Sequence, residues 1–244
     1  MDPAMTRAFA NQYTAVRTHE GRIYSDDELQ KLPDVDPRHP LVHEWALRKK
    51  TAERIVSYSQ TIGAQSVLDV GCGNGWASKL IAKSGLSVTA IDVNQPELEQ
   101  AKRVFADSRN LQFMLMDPAR GELPTGPFDL VTLMSSIQYF SDLTGLIHRL
   151  LSCLQHEGCI LIADTPFYSV EEADQARNRS HDYYTGIGYP EFADNYHHHT
   201  WPELRPFNPQ LIYDPRSWIC RFRRQVLRHV VVPFPMIVIK RGPT

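Results

Sequence analysis

The glycine-rich turn at Gly71–Gly75 constrains the fold of this chain more than any other feature. It directly follows an apolar, β-branched run at Ser66–Val70 and precedes a helical pattern that stops at Gly85. Glycines in such a turn let the chain bend sharply and let a ligand approach the backbone, because no Cβ intervenes. The helix after the turn begins with free N–H groups. The segment therefore predicts a strand, a ligand-binding loop and a helix in succession.

Strand-like runs alternate with helical patterns through the middle of the chain, which predicts an α/β fold with a doubly wound, mostly parallel sheet. A helix is expected from Asn94 to about Asp107, where Asn94 caps the first turn and Glu97 completes a capping box. Another is expected behind Asp142, with a single apolar stripe. After Ser66–Val70 the predicted strands are Leu86–Ile91, Leu111–Leu115, Phe128–Leu133 and Cys159–Ala163.

Two further β-branched runs lie near the end of the sequence, at Val226–Val232 and Met236–Lys240. Only Pro233-Phe234-Pro235 separates them. So short a connection predicts an antiparallel pair, because a parallel return needs a crossover. A C-terminal antiparallel hairpin is therefore expected to complete the sheet.

Composition excludes several classes of protein. The chain has 244 residues, 42% of them hydrophobic and 22% charged, which is typical of a globular protein. A formal net charge of -2 argues against a protein that mainly coats nucleic acid. No apolar run approaches the ~20 residues that span a bilayer, and the N-terminus lacks the apolar core of a secretory signal. Four cysteines without a CxxC pair predict reduced thiols. We therefore expect a cytoplasmic protein without nucleic-acid or membrane partners.

The residues around the turn distinguish two classes of ligand. Asp92 ends the second predicted strand, where a carboxylate can accept both hydroxyls of a ribose. A dinucleotide usually requires the spacing GxGxxG, whereas this turn has GxGxG followed by Trp76. Asp69 would repel a pyrophosphate, but it suits a ligand with an ammonium group, bound directly or through water. The turn therefore favours a nucleoside that carries an amino acid.

Five segments follow one another in an order that resembles the motifs of class I S-adenosylmethionine-dependent methyltransferases: VLDVGCGNGWASKLIAKSG, VTAIDVN, FMLMDPA, FDLVTLMSSIQYFSD and CILIAD. The resemblance covers roughly Ser66–Ala163 and, through the closing hairpin, the sheet as a whole. It implies the Rossmann-like methyltransferase fold, with seven strands and the last one inserted antiparallel. It also implies S-adenosyl-L-methionine as the cofactor.

The resemblance assigns roles to individual positions. Asp69 and the glycine loop would hold the methionine portion of the cofactor, and Asp92 would accept the ribose hydroxyls. Asp117 would accept the adenine amino group, and Gln138 would lie near the methyl group. The implied cofactor-binding residues are Asp69, Gly71, Cys72, Gly73, Asp92, Val93, Asp117, Pro118, Met134, Ser135 and Gln138.

The sequence divides into four expected parts. Residues 1–60 form an N-terminal helical cap, and residues 61–163 form the cofactor-binding core. Residues 164–214 form an inserted substrate lid that holds six of the ten tyrosines, because long segments without strong periodicity are usually lids or binding loops. Residues 215–244 supply a final helix and the β-hairpin that completes the core sheet.

Methyl transfer needs an aligned acceptor and, for many acceptors, a group that takes a proton. The candidates His198, His199 and Tyr184 all lie in the predicted lid. Three adjacent histidines rarely reach one ion, because neighbouring side chains diverge on a helix and alternate on a strand. A pair such as His197 and His199 with a nearby carboxylate stays open, but no metal is expected.

The near-neutral charge and the aromatic lid favour a methyltransferase with a small-molecule acceptor. The Asn/Asp-Pro-Pro-Tyr/Phe tetrapeptide of amino-methyltransferases is missing after the fourth predicted strand, which lowers the expectation of DNA-adenine or glutamine methylation. Three alternatives remain open: an NAD(P)-dependent oxidoreductase, a non-catalytic member that binds the cofactor, and an enzyme that transfers another group, such as aminopropyl. The oligomeric state is left open.

Overall fold

Seven strands of the described residues form one central sheet. The computed structural model describes residues 3–218, 220, 222 and 231–242. The strand order is β3-β2-β1-β4-β5-β7-β6, in which β1 to β5 run parallel and β7 is antiparallel to both of its neighbours. The predicted α/β fold with a doubly wound, mostly parallel sheet is confirmed. The strands are β1 (Ser66–Val70), β2 (Ser87–Asp92), β3 (Leu111–Leu115), β4 (Phe128–Met134), β5 (Leu154–Ala163), β6 (Gln210–Tyr213) and β7 (Met236–Lys240).

The antiparallel end of the sheet is confirmed, and one of its strands comes from a different part of the sequence. The strand β7 lies where the sequence predicts it, but it pairs with β6, which the sequence analysis placed in the lid. Leu211 and Ile212 of β6 are exposed, so this edge strand lacks the burial that makes a strand recognisable in a sequence. The first strand of the predicted hairpin was Val226–Val232, and its residues 226–230 lie outside the described part of the chain.

Helices cover both faces of the sheet. The apolar stripe of α6 is buried as predicted, and α5 ends at Val104, earlier than expected. Among the described helices, none is long and apolar enough to cross a bilayer. The helices are α1 (Pro3–His19), α2 (Asp26–Lys31), α3 (Val42–Thr61), α4 (Trp76–Lys83), α5 (Gln95–Val104), α6 (Leu143–Ser152), α7 (Val170–Gly186) and α8 (Trp201–Leu204).

Alternate residues of each strand point to opposite faces of the sheet. Val67 of β1 packs into a core with α3, α4 and α5, whereas its neighbour Leu68 packs into a second core with α6 and α8. Ile55 and Leu146 are fully buried in these two cores. Burial of a side chain of this size contributes roughly 1.5–3 kcal/mol. The two cores hold the sheet rigid, and the loops at its carboxyl edge are built on that support.

A third apolar cluster joins the predicted N-terminal cap to the predicted lid. Val16 of α1 and Tyr184 of α7 pack with Phe192, which lies on a short 3-10 helix at Pro190–Asn195. Tyr139, just beyond β4, is packed against the same cluster. The helices α1 and α7 are thereby fixed over the carboxyl end of β4.

Candidate functional site

The loop after β1 is bent by three glycines. Gly71, Gly73 and Gly75 have φ values of 73°, 54° and 75°, in the left-handed region that favours glycine. A Cβ on Gly71 would lie 2.5 Å from Cβ of Ser136. The N–H groups of Gly71 and Cys72 donate to the carbonyl of Ile91 on β2, at 2.9 and 3.1 Å. The glycine loop is therefore fastened to the end of the neighbouring strand.

Asp92 ends β2 and connects it to this loop. Its Oδ2 accepts from the N–H of Gly73 at 2.8 Å, and its Oδ1 accepts from the N–H of Asn94 at 2.8 Å. Burial raises the pKa of Asp92, and the backbone donors oppose that rise. Each carboxylate oxygen has a second lone pair, so Asp92 is held in place and can still accept hydrogen bonds from a ligand.

A cavity of about 300 Å³ opens along the carboxyl ends of β1, β2 and β4, and we call it the strand-end cavity. Phe9 and Tyr13 of α1 form its roof. A smaller cavity of about 90 Å³, the loop cavity, continues under the glycine loop and shares Tyr13, Gly71, Gly73 and Ser135 with the first. Of the predicted cofactor-binding residues, the strand-end cavity is lined by Gly71, Gly73, Asp92, Val93, Asp117, Pro118 and Ser135, and the loop cavity also by Cys72 and Met134.

Asp117 closes the far end of the strand-end cavity. Its Oδ1 accepts from the N–H of Ala119 at 3.0 Å. Its Oδ2 accepts from the hydroxyl of Thr6 on α1 at 2.7 Å. The N-terminal helix is therefore hydrogen-bonded to the residue that the sequence assigned to the adenine, a contact between distant positions that no local pattern could indicate.

Asp69 lies below the loop and outside the lining of these cavities. Its Oδ2 accepts from the hydroxyl of Ser78 on α4 at 2.6 Å, and its Oδ1 accepts from the hydroxyl of Thr132 on β4 at 2.8 Å. Burial raises its pKa, and these two bonds oppose the rise. Asp69 thus ties β1, α4 and β4 together, and its assignment to the methionine portion of the cofactor stays a prediction.

Glu97, in the first turn of α5, lines the loop cavity instead. The sequence predicts that it completes a capping box, and this is wrong for its side chain. Asn94 accepts from the N–H of Glu97, but the Glu97 carboxyl faces Gly73 and does not return the bond to the cap. A helix-capping pattern is local, and it gives no indication that a loop from β1 lies within reach.

A third cavity, of about 250 Å³, shares Ser135 with both of the others and Arg17 with the loop cavity. We call it the arginine cavity. Ser135 and Asp164 lie in its wall and have φ values of 57° and 55°, which non-glycine residues rarely adopt. They directly follow the neighbouring strands β4 and β5, and the N–H of Ser135 donates to the carbonyl of Ala163 at 3.0 Å. The remaining lining residues include Arg22, Arg48, Glu44, Gln138, Tyr184 and Tyr196.

Sequence reasoning missed Asp164 as a candidate site residue. Burial raises the pKa of its carboxyl, and the charge of Arg48 opposes that rise. The signal was available, because Asp164 directly follows the fifth predicted strand and the carboxyl ends of parallel strands meet at one edge of a sheet. A partly buried acid at a strained φ, in a cavity beside the glycine loop, is a candidate for proton transfer.

The predicted catalytic residues lie in two different places. Tyr184 lines the arginine cavity, and burial raises the pKa of its hydroxyl well above the usual range. His198 and His199 line a separate cavity of about 540 Å³, the histidine cavity. Of the three adjacent histidines, His197 is the one that also lines the strand-end cavity.

Both predicted catalytic histidines are buried and already hydrogen-bonded. His198 Nε2 lies 2.8 Å from the hydroxyl of Ser180, and burial together with Arg177 lowers its pKa to about 4. His199 Nε2 lies 3.2 Å from the carbonyl of Ile137. In the described part of the chain, no group of three or more His, Cys, Asp or Glu side chains is placed to hold a metal ion.

Comparisons with known proteins identify the central part of the chain. Residues 67–158 match the family model described as a methyltransferase domain. A malonyl-[acyl-carrier protein] O-methyltransferase of Acetivibrio thermocellus is 34% identical over 96 residues, which are 38% of this chain and 33% of the relative. A ubiquinone biosynthesis O-methyltransferase of Xanthomonas euvesicatoria pv. vesicatoria is 33% identical over 131 residues, 52% of each protein. The chain thus spans between a third and about half of the length of these relatives.

Among solved structures, the fold is similar to that of a magnesium protoporphyrin IX methyltransferase from Synechocystis, crystallised with bound SAH. The TM-score is 0.60 and the sequence identity 15%, and the match covers 99% of this chain and 100% of that one. At this identity the similarity concerns the fold. The seven-stranded order with an antiparallel end is therefore an arrangement that a solved methyltransferase shares.

Proposed function

We propose that this protein is a class I S-adenosylmethionine-dependent methyltransferase that transfers a methyl group to a small molecule. Its residues 67–158 match the methyltransferase-domain model, and its fold is similar to that of a solved methyltransferase. The observation that carries this proposal is the continuity of the strand-end, loop and arginine cavities. Ser135 lines all three. A cofactor in the first two would therefore present its reactive end to an acceptor in the third.

The described residues fit the cofactor. The two anchored oxygens of Asp92 accept the ribose hydroxyls, and Asp117 accepts from the adenine amino group. The positive φ values of Gly71 and Gly73 bring bare backbone close to the methionine portion. When bound, S-adenosylmethionine supplies an activated methyl group on a positively charged sulfur. The residues of this chain bind and orient that group, and α1 excludes water from above.

The lining of the arginine cavity favours an acceptor with an anionic or acidic oxygen. Arg17, Arg22 and Arg48 line it against the carboxyls of Glu44 and Asp164. The two curated relatives described above are named as O-methyltransferases. We therefore propose a carboxylic acid or a phenol as the acceptor. The oxidoreductase alternative is not retained, because the family match and these relatives are methyltransferases.

Asp164 is our first candidate for the group that takes a proton from a hydroxyl acceptor. It lines the cavity beside Ser135, and its raised pKa suits a base better than that of an ordinary aspartate. Tyr184 lines the same cavity and is proposed to orient the acceptor. His198 and His199 are proposed, at most, to support the lid from the adjoining histidine cavity.

The remaining sequence-based expectations are carried forward as proposals. The first 60 residues are proposed to act as a cap, which the packing of Val16 against Tyr184 and Phe192 supports. Of the predicted lid at 164–214, residues 164–209 are proposed as the lid, because Gln210–Tyr213 belong to the sheet. The protein acts in the cytoplasm, and its four cysteines are unpaired in the structure. No nucleic-acid partner is proposed, because the formal charge is -2.

The function is tested first by binding and then by product formation. Isothermal titration calorimetry of the full chain should show binding of S-adenosylmethionine and of SAH, and none of NADH. The protein is then incubated with S-adenosylmethionine and panels of carboxylic acids, phenols and amines, and SAH is quantified by mass spectrometry. Binding without SAH formation on any panel would support the non-catalytic alternative. Binding of NADH in place of S-adenosylmethionine would refute the proposal.

A further inference from the structure

Glu97 is a buried acid without a partner inside the loop cavity. Its Oε2 is shielded from solvent and has no hydrogen-bond partner among the described residues. A Cβ placed on Gly73 would lie 3.5 Å from this oxygen, so the carboxyl rests directly against the glycine loop. Buried polar atoms are nearly always paired, so an unpaired carboxyl oxygen in the lining of a cavity is a candidate for ligand binding.

The charged and titratable groups around Glu97 come from three other elements. Asp92 faces it from the end of β2, Arg17 and Tyr13 from α1, and Cys72 from the glycine loop. Burial first, and then the charge of Asp92, raise the pKa of Glu97 to about 8, while Arg17 opposes the rise. Without a ligand, the carboxyl is therefore mostly protonated at neutral pH, since burial and the charge of Asp92 outweigh the charge of Arg17.

We propose that Glu97 is the binding residue for the α-ammonium group of S-adenosylmethionine. This inference rests on the proposed function and adds a residue that the motifs did not assign. Asp69, the acid that the sequence favours for this role, accepts from Ser78 and Thr132 and is not among the residues that line the loop cavity. Glu97 presents a free oxygen to the same loop from the opposite side.

The loop cavity also holds a positively charged side chain, which suits the α-carboxylate of the cofactor. Arg17 lines it together with Glu97 and Tyr13. An amino acid has an ammonium and a carboxylate within a few ångströms, and a carboxylate–guanidinium pair in one small cavity matches both. The ribose end is fixed by Asp92, whose Oδ2 is bonded to Gly73. Glu97 is thus adjacent to the point at which the amino-acid portion would follow the sugar.

Binding of the ammonium should release a proton. A positive group next to Glu97 favours the ionised carboxylate and lowers its pKa. At pH 7 the Glu97 carboxyl is mostly protonated in the free protein and ionised in the complex. Close to one proton is therefore released per site, by the same linkage that makes stability depend on pH. The affinity for the cofactor therefore rises as the pH approaches about 8, the pKa of free Glu97. It falls again at higher pH, where the α-ammonium group of the ligand loses its own proton.

The experiment compares Glu97→Gln with Glu99→Gln by calorimetry at pH 7, in buffers with different ionisation enthalpies. Glu99 lies on the exposed side of α5 and accepts from Gln95, so its variant is a matched control. The ligands are S-adenosylmethionine, SAH and methylthioadenosine, of which the last lacks the amino acid. We expect proton release with the first two in the wild type and in Glu99→Gln, and none in Glu97→Gln. The affinity of Glu97→Gln for both should fall by about tenfold.

Three results would overturn the inference. Proton release that persists in Glu97→Gln would identify another group, such as Asp92. A loss confined to S-adenosylmethionine would show that Glu97 meets the sulfonium, because SAH has the same ammonium. An equal loss for methylthioadenosine would show a structural role. If Glu97→Gln does not fold, Glu97→Met replaces it at similar volume. Failure of the wild type to bind any of the three ligands would refute the proposed function itself.

Discussion

The backbone N–H of Gly73 donates a 2.8 Å hydrogen bond to Oδ2 of Asp92. This bond joins the glycine loop after β1 to the acid that ends β2, so the two features that the sequence singled out form one unit. The same carboxylate accepts from Asn94 at the start of α5. The geometry of the strand-end cavity therefore depends on Asp92 as well as on the glycines.

Asp92→Ala should weaken the binding of S-adenosylmethionine by about tenfold or more, because two ribose hydrogen bonds are lost. Titration calorimetry measures the change. Asp182→Ala, at an exposed position of α7, is the control and should bind as the wild type does. Unchanged affinity in Asp92→Ala would remove Asp92 from the cofactor site.

Gly71→Ala should lower the free energy of unfolding by about 1–3 kcal/mol, because a non-glycine residue at this φ is strained. The new Cβ would also lie 2.5 Å from Cβ of Ser136, so the loop must shift. Thermal and urea denaturation measure the loss. Gly186→Ala is the control, since its φ is not in the left-handed region and nothing lies within 4 Å of its Cβ. Equal stability of the two variants would contradict the close approach.

With a phenol as the acceptor, Asp164→Asn should reduce turnover by about 100-fold or more while the affinity for S-adenosylmethionine stays within about twofold. The wild-type rate should rise with pH as the Asp164 carboxyl, whose pKa is raised by burial, loses its proton. That rise should be absent from the residual rate of Asp164→Asn. Steady-state kinetics against pH, with the acceptor found in the panel, are the measurement.

Tyr184→Phe and His198→Ala separate the two places in which the predicted catalytic residues lie. Tyr184→Phe keeps the ring in the third apolar cluster and removes the hydroxyl, so it should raise the KM for the acceptor and leave cofactor affinity unchanged. His198→Ala should mainly lower thermal stability, since this ring packs against Tyr196 in the lid. A selective loss of kcat in His198→Ala would return the histidine to the catalytic site.

Glu44→Gln should destabilise the protein by about 1–2 kcal/mol at pH 7, a value discounted for partial exposure. Burial raises the pKa of Glu44, but the hydrogen bond from Arg22 and the charge of Arg48 outweigh it and lower the pKa to about 2. The contribution is complete above about pH 4.5 and is lost as the pH falls towards about 2. Urea denaturation at several pH values should show that the free energies of unfolding of the wild type and of Glu44→Gln become equal at low pH. Asp34→Asn is the control and should show little effect, because Asp34 is in an exposed pair with Lys49.

Local patterns predict most of the fold and the nucleoside end of the site. Each of these features is encoded within one short segment, through its own periodicity or turn chemistry. They are the strands β1 to β4, the glycine loop and Asp92. The edge strand β6 was not predicted, because four residues are too few to show the alternation of apolar and polar residues that marks a strand. Residue type and spacing therefore suffice where burial is strong.

The chemistry of individual acids could not be predicted in the same way. The carboxylate of Asp69 is occupied by Ser78 and Thr132, which lie on two other elements. The carboxyl of Glu97 is free because the loop covers it and offers no donor. Both facts depend on contacts between side chains that are distant in sequence, and no local pattern in a single sequence indicates such contacts.

The hydroxyl of Thr6 holds Oδ2 of Asp117, so the first helix closes the end of the strand-end cavity where adenine is expected. Phe9 and Tyr13 continue the same helix across the top of that cavity. We therefore expect entry and departure of a nucleoside to require movement of α1 away from the sheet. The residence time of a spent cofactor would then depend on Pro3–His19, far in sequence from the motifs that recognise it.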